Sequence, residues 1–272
     1  MTEHINNSED IVNDNTPVYK EKKWKHYLFE FLFLFLAVTA GFFVDNQREQ
    51  YSEQKSAKVY ATSMRINLQS DTSELRQIIS RNVLAVDYLD TFLSLAAKDS
   101  LENIPTGELY WYGLWGGYYR GFESNDATFQ QMKNSGSLRY FNNNTLVQNI
   151  SDYDQLVRSI YLLNQIDHSI YIETRKARAK LFDFRYNMAA NNIVQRYGNS
   201  TIRNGNSTIM EKAIDSFVKL KPRLLTKDKI LFNEYVELCR SRSLGRVTNN
   251  YKRALDLATN IIIQLENEYD LK

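Results

Sequence analysis

Apolar positions crowd one place in the chain. From Tyr27 to Val44 the only charge is Glu30. About 18 to 20 such residues cross the hydrocarbon layer of a bilayer as a helix. The stretch has no polar face, so it does not read as a surface helix of a soluble core, which keeps one side wet. Its rival is a cleaved secretory signal, because Val38-Thr39-Ala40 ahead of Gly41 suits a peptidase site. Against cleavage, the preceding segment is long and holds acids, and the apolar run continues through Phe42, Phe43 and Val44. The pattern predicts an uncleaved anchor over 27–44.

Beyond the anchor the pattern becomes helical and amphipathic. No Gly or Pro falls between Gly41 and Pro105. Ala57, Ala61, Met64, Leu68, Leu75, Ile78, Val86, Leu89 and Leu93 recur near the helical period. This predicts a stalk over 45–70 and a bundle over 71–272. A break is expected at Ser70-Asp71, where Asp71 and Glu74 resemble a capping pair. A second Gly- and Pro-free stretch, Ser137 to Tyr197, predicts a helix over 144–190 capped by Asn143 or Asn144. Its stripe is Leu146, Ile150, Tyr153, Val157, Ile160, Leu163, Ile170, Ala177, Leu181, Phe184 and Met188. At 1.5 Å per residue it would be roughly 70 Å long, which suits an elongated bundle. Three more helices are expected near 208–220, 226–242 and 246–270, punctuated by Pro222 and Gly245. Leu255, Ala258, Ile262 and Leu265 give the last a core face. The predicted class is all-α: a single N-terminal transmembrane helix continuing into an elongated bundle with long, coiled-coil-like helices.

Charge orients this plan. Lys20, Lys22, Lys23 and Lys25 crowd the N-terminal flank, whereas Asp45, Arg48, Glu49, Glu53, Lys55 and Lys58 alternate in sign after the run. The positive-inside rule then places 1–26 in the cytoplasm and 45–272 outside it. Trp24 and Tyr27 sit where interfacial aromatics belong. The chain has 272 residues and a net charge of +2, so charge balance gives no reason to expect a nucleic-acid partner. About 225 residues remain for the outer part, enough for one domain with a real core. One cysteine, Cys239, rules out an intrachain disulfide and says nothing about compartment.

Glu30, then "FLFLFLAVTAGFF", then Asp45, Asn46, Arg48 and Glu49 resemble the N-terminus of a set of uncharacterised single-pass membrane proteins of Bacteroidota. Many of those read Asn-Asn-Trp-Asn-Glu at the exit, and this chain lacks the Trp. "FQQMKNSGSLRYF", Phe129 to Phe141, is similar to their F-x-x-L-K-S-S-G-x-L-R segment, with Met132 in place of Leu. The resemblance implies a helical protein of the bacterial envelope and brings no known activity. Read by itself, the second segment predicts a short helix with Gly136 as its left-handed cap.

Candidate chemistry is sparse. Glu30 reaches back to the headgroups or pairs with His26, or else serves a contact to a partner subunit or a proton path. "ELYWYGLWGGYYRGFE", Glu108 to Glu123, interleaves two Trp and four Tyr with four Gly. Its rings either fill the core or form a platform for a ligand or partner. Trp111 and Trp115, four apart, would share a helix face. They are expected in the core, with Tyr118 or Tyr119 the exposed ring. Arg139 is expected to cap helix carbonyls or bind an anion. "TRKARAK", Thr174 to Lys180, reads as a solvated basic face or a contact for anionic lipid or protein. His168 stands alone, and Cys239 lies at buried spacing with Phe232, Tyr235 and Val236. No zinc motif, nucleophile elbow or phosphate loop is present, so no enzyme, metal or cofactor is expected. The expected partners are the bilayer and either another protein or a second copy joined through the long helices. The leading expectation is an accessory or scaffolding subunit of an envelope complex at the bacterial inner membrane. The alternative is a periplasmic ligand-binding or sensor domain that uses 108–123 and signals through a partner.

Overall fold

The structure, a computed structural model, describes residues 24–98, 105–118, 120–197 and 207–271. Among these there is no strand; Phe182 and Leu224 make an isolated antiparallel bridge. The protein is all-α. α1 runs from Trp24 to Ala96. α2 (Thr106–Gly113) passes into a 3-10 turn, Leu114–Gly117. α3 (Ala127–Ser135) ends at Gly136 with φ 69°, the left-handed cap expected there, and a second 3-10 turn, Ser137–Tyr140, follows. Then come α4 (Asn144–Leu181), α5 (Phe184–Tyr197), α6 (Ser207–Val218), α7 (Lys229–Arg240) and α8 (Leu244–Tyr269). Asn143 caps α4, its side chain accepting from the Leu146 N–H at 3.1 Å.

The chain divides into two units after Glu53. In the first, every described residue from Trp24 to Ser52 is exposed. In the second, Ala57, Ala61, Met64 and Leu68 are buried among bundle helices. The bundle therefore takes in residues that the sequence pattern placed in a stalk over 45–70.

α1 passes through Ser70-Asp71 without the expected break. Asp71 caps nothing. Its carboxylate is buried mid-helix and accepts from Ser124 Oγ at 2.5 Å, the Asn125 N–H at 2.8 Å and Tyr153 Oη at 2.7 Å. A carboxylate supplied with tertiary donors has no need to compete for its own backbone.

That burial completes a strict pattern. Positions 57, 61, 64, 68, 71, 75, 78, 82, 85, 89 and 92 of α1 are all buried, in alternating steps of four and three. Asp71 and Asn82 hold core positions of this seven-residue repeat, while Val86 and Leu93 lie half-buried beside it. α4 repeats the rule through Ile160, Asn164, Asp167, Thr174, Ala177 and Leu181. α8 repeats it through Leu244, Val247, Tyr251, Ala254, Ala258, Ile261 and Leu265. A sustained 3.5-residue period keeps one seam facing the neighbouring helices, as in a coiled coil.

The helix predicted over 144–190 is two helices. At Phe182 the backbone turns extended, with φ −111° and ψ 128°. The Leu225 N–H donates to Leu181 O at 2.8 Å, and the Tyr110 hydroxyl donates to Asp183 O. Arg185 grips the Asp183 carboxylate and holds it below the usual carboxylate range. Contacts from residues far along the chain replace the helical hydrogen bonds at this joint. Phe184 and Met188, expected in the stripe, consequently face solvent.

Two apolar clusters result. One joins Ala57–Ile78 of α1, the N-terminal half of α4 and most of α8 around Phe122, Met132 and Phe141. The other joins Ala85–Phe92 of α1, α2, the end of α4, α5, α6 and α7. On α4 the stretch between them buries Asn164 and Asp167. Asn164 accepts from Tyr251 Oη at 2.7 Å, and Asp167 pairs with Arg242 at 2.7 Å.

Candidate functional site

The aromatic segment is pinned by its carbonyls. A helix that ends at Gly113 and tightens into a 3-10 turn leaves its last C=O groups without helical partners. Side chains from other helices fill the deficit. Tyr235 donates to Gly113 O, and Arg178 donates to Leu114 O at 3.0 Å. Arg242 donates to Gly116 O at 2.6 Å and to Tyr118 O at 2.5 Å. The Arg242 side chain is wholly buried, and Asp167 balances its charge through two further bonds.

The glycines make this approach possible. A Cβ on Gly113 would stand 2.8 Å from the Phe182 ring. One on Gly116 would overlap the Cys239 sulfur and crowd the Tyr235 hydroxyl. Cys239 is buried, and desolvation pushes its thiol up to about 12, which suits a packing residue and not a nucleophile.

The expected site residues part company here. Trp111 is 1% exposed and lies 5.4 Å from Phe217, ring to ring. Trp115 is only half-buried, edge-on to Tyr88 at 5.1 Å, which corrects its placement in the core. Tyr118 is half-buried, and burial raises its phenol against the opposing pull of Arg81 and Arg120. Tyr119 lies outside the described residues. Arg139 is exposed, its guanidinium 5.4 Å from the Tyr140 ring, and lines no part of this region. Glu30, on the exposed part of α1, faces His26 at 3.8 Å.

Trp111, Trp115 and Tyr118 line a cavity of about 460 Å³. Arg81 and Leu84 of α1 and Arg178 of α4 form further walls. Asn187, Ala190, Asn191 and Val194 of α5 complete them with Leu114. Among the described residues, no carboxylate lines it. Three buried polar atoms on its walls have no hydrogen-bond partner of good geometry: Trp111 Nε1, Tyr118 Oη and Asn187 Oδ1. Each such group costs about 1–3 kcal/mol when left unmet. Tyr88 stands behind Trp115, its phenol pushed up to about 12 by burial and by Tyr112.

Sequence reasoning found the three aromatics and missed the other walls. Arg178 belongs to the basic stretch read as a solvated face, yet Thr174 and Ala177 are buried there and Arg178 turns inward. Only the spacing of Ala177 and Leu181 hints at this. Arg81, Asn187 and Asn191 carry no local signal; α5, which follows the joint at Phe182–Asp183, carries both asparagines to the cavity that Arg81 lines.

No protein-family model, no curated protein and no solved structure matches the chain.

Proposed function

We propose that the chain is a non-enzymatic, membrane-anchored accessory subunit of a bacterial envelope complex. Residues 27–44 cross the inner membrane, 1–26 lie in the cytoplasm and the bundle stands in the periplasm. One observation carries this reading: α1 contains a run long and apolar enough to cross a membrane, and none of that run is buried in the protein. So large an exposed apolar surface needs lipid around it. The Lys20–Lys25 flank supports the orientation, and the resemblance at Glu30–Glu49 supports the envelope. The His26–Glu30 pair suits an acid near the boundary, within reach of water. Tyr161, Leu162 and Ile166 are exposed close together on α4, which supports a protein partner.

A reporter active only in the cytoplasm, fused after Lys272, should be silent, and the purified chain should retain its N-terminal tail. An active fusion or a mature chain beginning at Gly41 overturns the reading. Purification in mild detergent should bring down a stoichiometric partner protein. A second reading, a ligand-binding module, is favoured by the cavity under Trp111 and Trp115.

A further inference from the structure

We infer that the cavity between α1, the 108–118 segment and α5 binds a small organic anion with an apolar, ring-sized body. The inference rests on the second reading above and is independent of the anchor.

Charge comes first. Two guanidinium groups, Arg81 and Arg178, line the space, and among the described residues no acidic side chain lines it. The bond from Arg178 to Leu114 O uses one of its five N–H donors and fixes the plane of the fork. An anchored guanidinium with donors to spare is built to receive a carboxylate or a phosphate.

Polarity comes second. Trp111 is 1% exposed, and its indole N–H has the Tyr88 hydroxyl beside it but no hydrogen bond of good geometry. A buried donor of this kind is normally met by something. The Tyr118 hydroxyl and the Asn187 carbonyl stand unpaired on the same walls. Shape comes third. Leu84, Leu114, Val194 and the Trp115 ring are apolar walls, and about 460 Å³ falls within the range of small-molecule sites. Water alone would meet the polar atoms and leave those walls unused.

The full chain in phosphatidylcholine nanodiscs is titrated with phenylacetate, phenyl phosphate, inorganic phosphate and benzyl alcohol, followed by calorimetry and tryptophan fluorescence. Saturable binding of an aromatic anion is expected, with benzyl alcohol weaker by about tenfold or more for want of a charge-assisted hydrogen bond, and inorganic phosphate weaker by about tenfold or more for want of a buried ring. Arg81→Gln should weaken the anion about tenfold while the melting temperature holds. Asn191→Asp places a negative charge at an exposed rim position that tolerates it, and should also weaken binding. If Arg81→Gln fails to fold, Asn191→Asp decides. Equal binding of benzyl alcohol keeps a ligand cavity and overturns the anion. Inorganic phosphate binding as tightly as phenyl phosphate overturns the apolar body. No saturable binding of any probe, or unchanged affinity in both variants, overturns the inference and the second reading together.

Discussion

Two tryptophans four residues apart have different work in this protein. Trp111 is enclosed by Phe217 and its neighbours, so Trp111→Ala should cost about 3–5 kcal/mol, as loss of a large buried aromatic does. Trp115 is half-buried on a cavity wall, and Trp115→Ala should cost roughly 1–2 kcal/mol. Chemical denaturation of both variants in the same detergent checks the order; equal losses would mean that both rings are core. Glycines separate in the same way. Gly116→Ala drives a methyl into Cys239 and Tyr235, and overpacking of that kind costs about 1–3 kcal/mol. Gly245→Ala meets open space and removes backbone freedom from the start of α8, so it should be neutral or stabilising by up to about 1 kcal/mol.

At the scale of the element, the buried Asp167–Arg242 pair joins three pieces. Asp167 belongs to α4, Arg242 lies between α7 and α8, and Arg242 holds the carbonyls of Gly116 and Tyr118. Asp167→Ala leaves a guanidinium buried without its counter-charge, a loss of about 3–5 kcal/mol. The double variant Asp167→Leu with Arg242→Met removes both charges and should lose less than the single variant in stability. It still frees the 114–118 turn, so Trp115 fluorescence should shift even where the melting temperature recovers. A double variant less stable than Asp167→Ala would refute charge isolation as the cause.

At the scale of the whole molecule, the buried acids that are neutral at ordinary pH set an alkaline limit. Cys239 and Tyr88 are each pushed up to about 12, and burial raises Tyr110, Tyr153 and Tyr235 as well. In the unfolded chain these groups release protons near pH 9 for the thiol and 10 for the phenols. The folded state holds its protons longer, so the stability they contribute is complete below about pH 9 and is lost as pH rises from there through about 12. Unfolding free energy should be flat from pH 7 to about 9 and fall steeply above about 10. A flat profile to pH 11 would show that these groups are open to solvent.

The all-α class and a run long and apolar enough to cross a membrane were readable from residues alone, because an uninterrupted apolar run and a helical period are local properties of the chain. The left-handed cap at Gly136 and the Asn143 cap were equally local. The core positions Asp71, Asn164 and Asp167 were not, because a polar residue joins an apolar seam when distant donors or a counter-charge meet it. The break at Phe182–Asp183 was hidden for the same reason, since Leu225 and Tyr110 supply what the helix gives up there. That break turns α5 back to face Arg81 and Trp115 across the cavity. Sequence determined the helical class and the long apolar run; long-range hydrogen bonds, invisible to any local pattern, decided where the helices stop and which side chains share a wall.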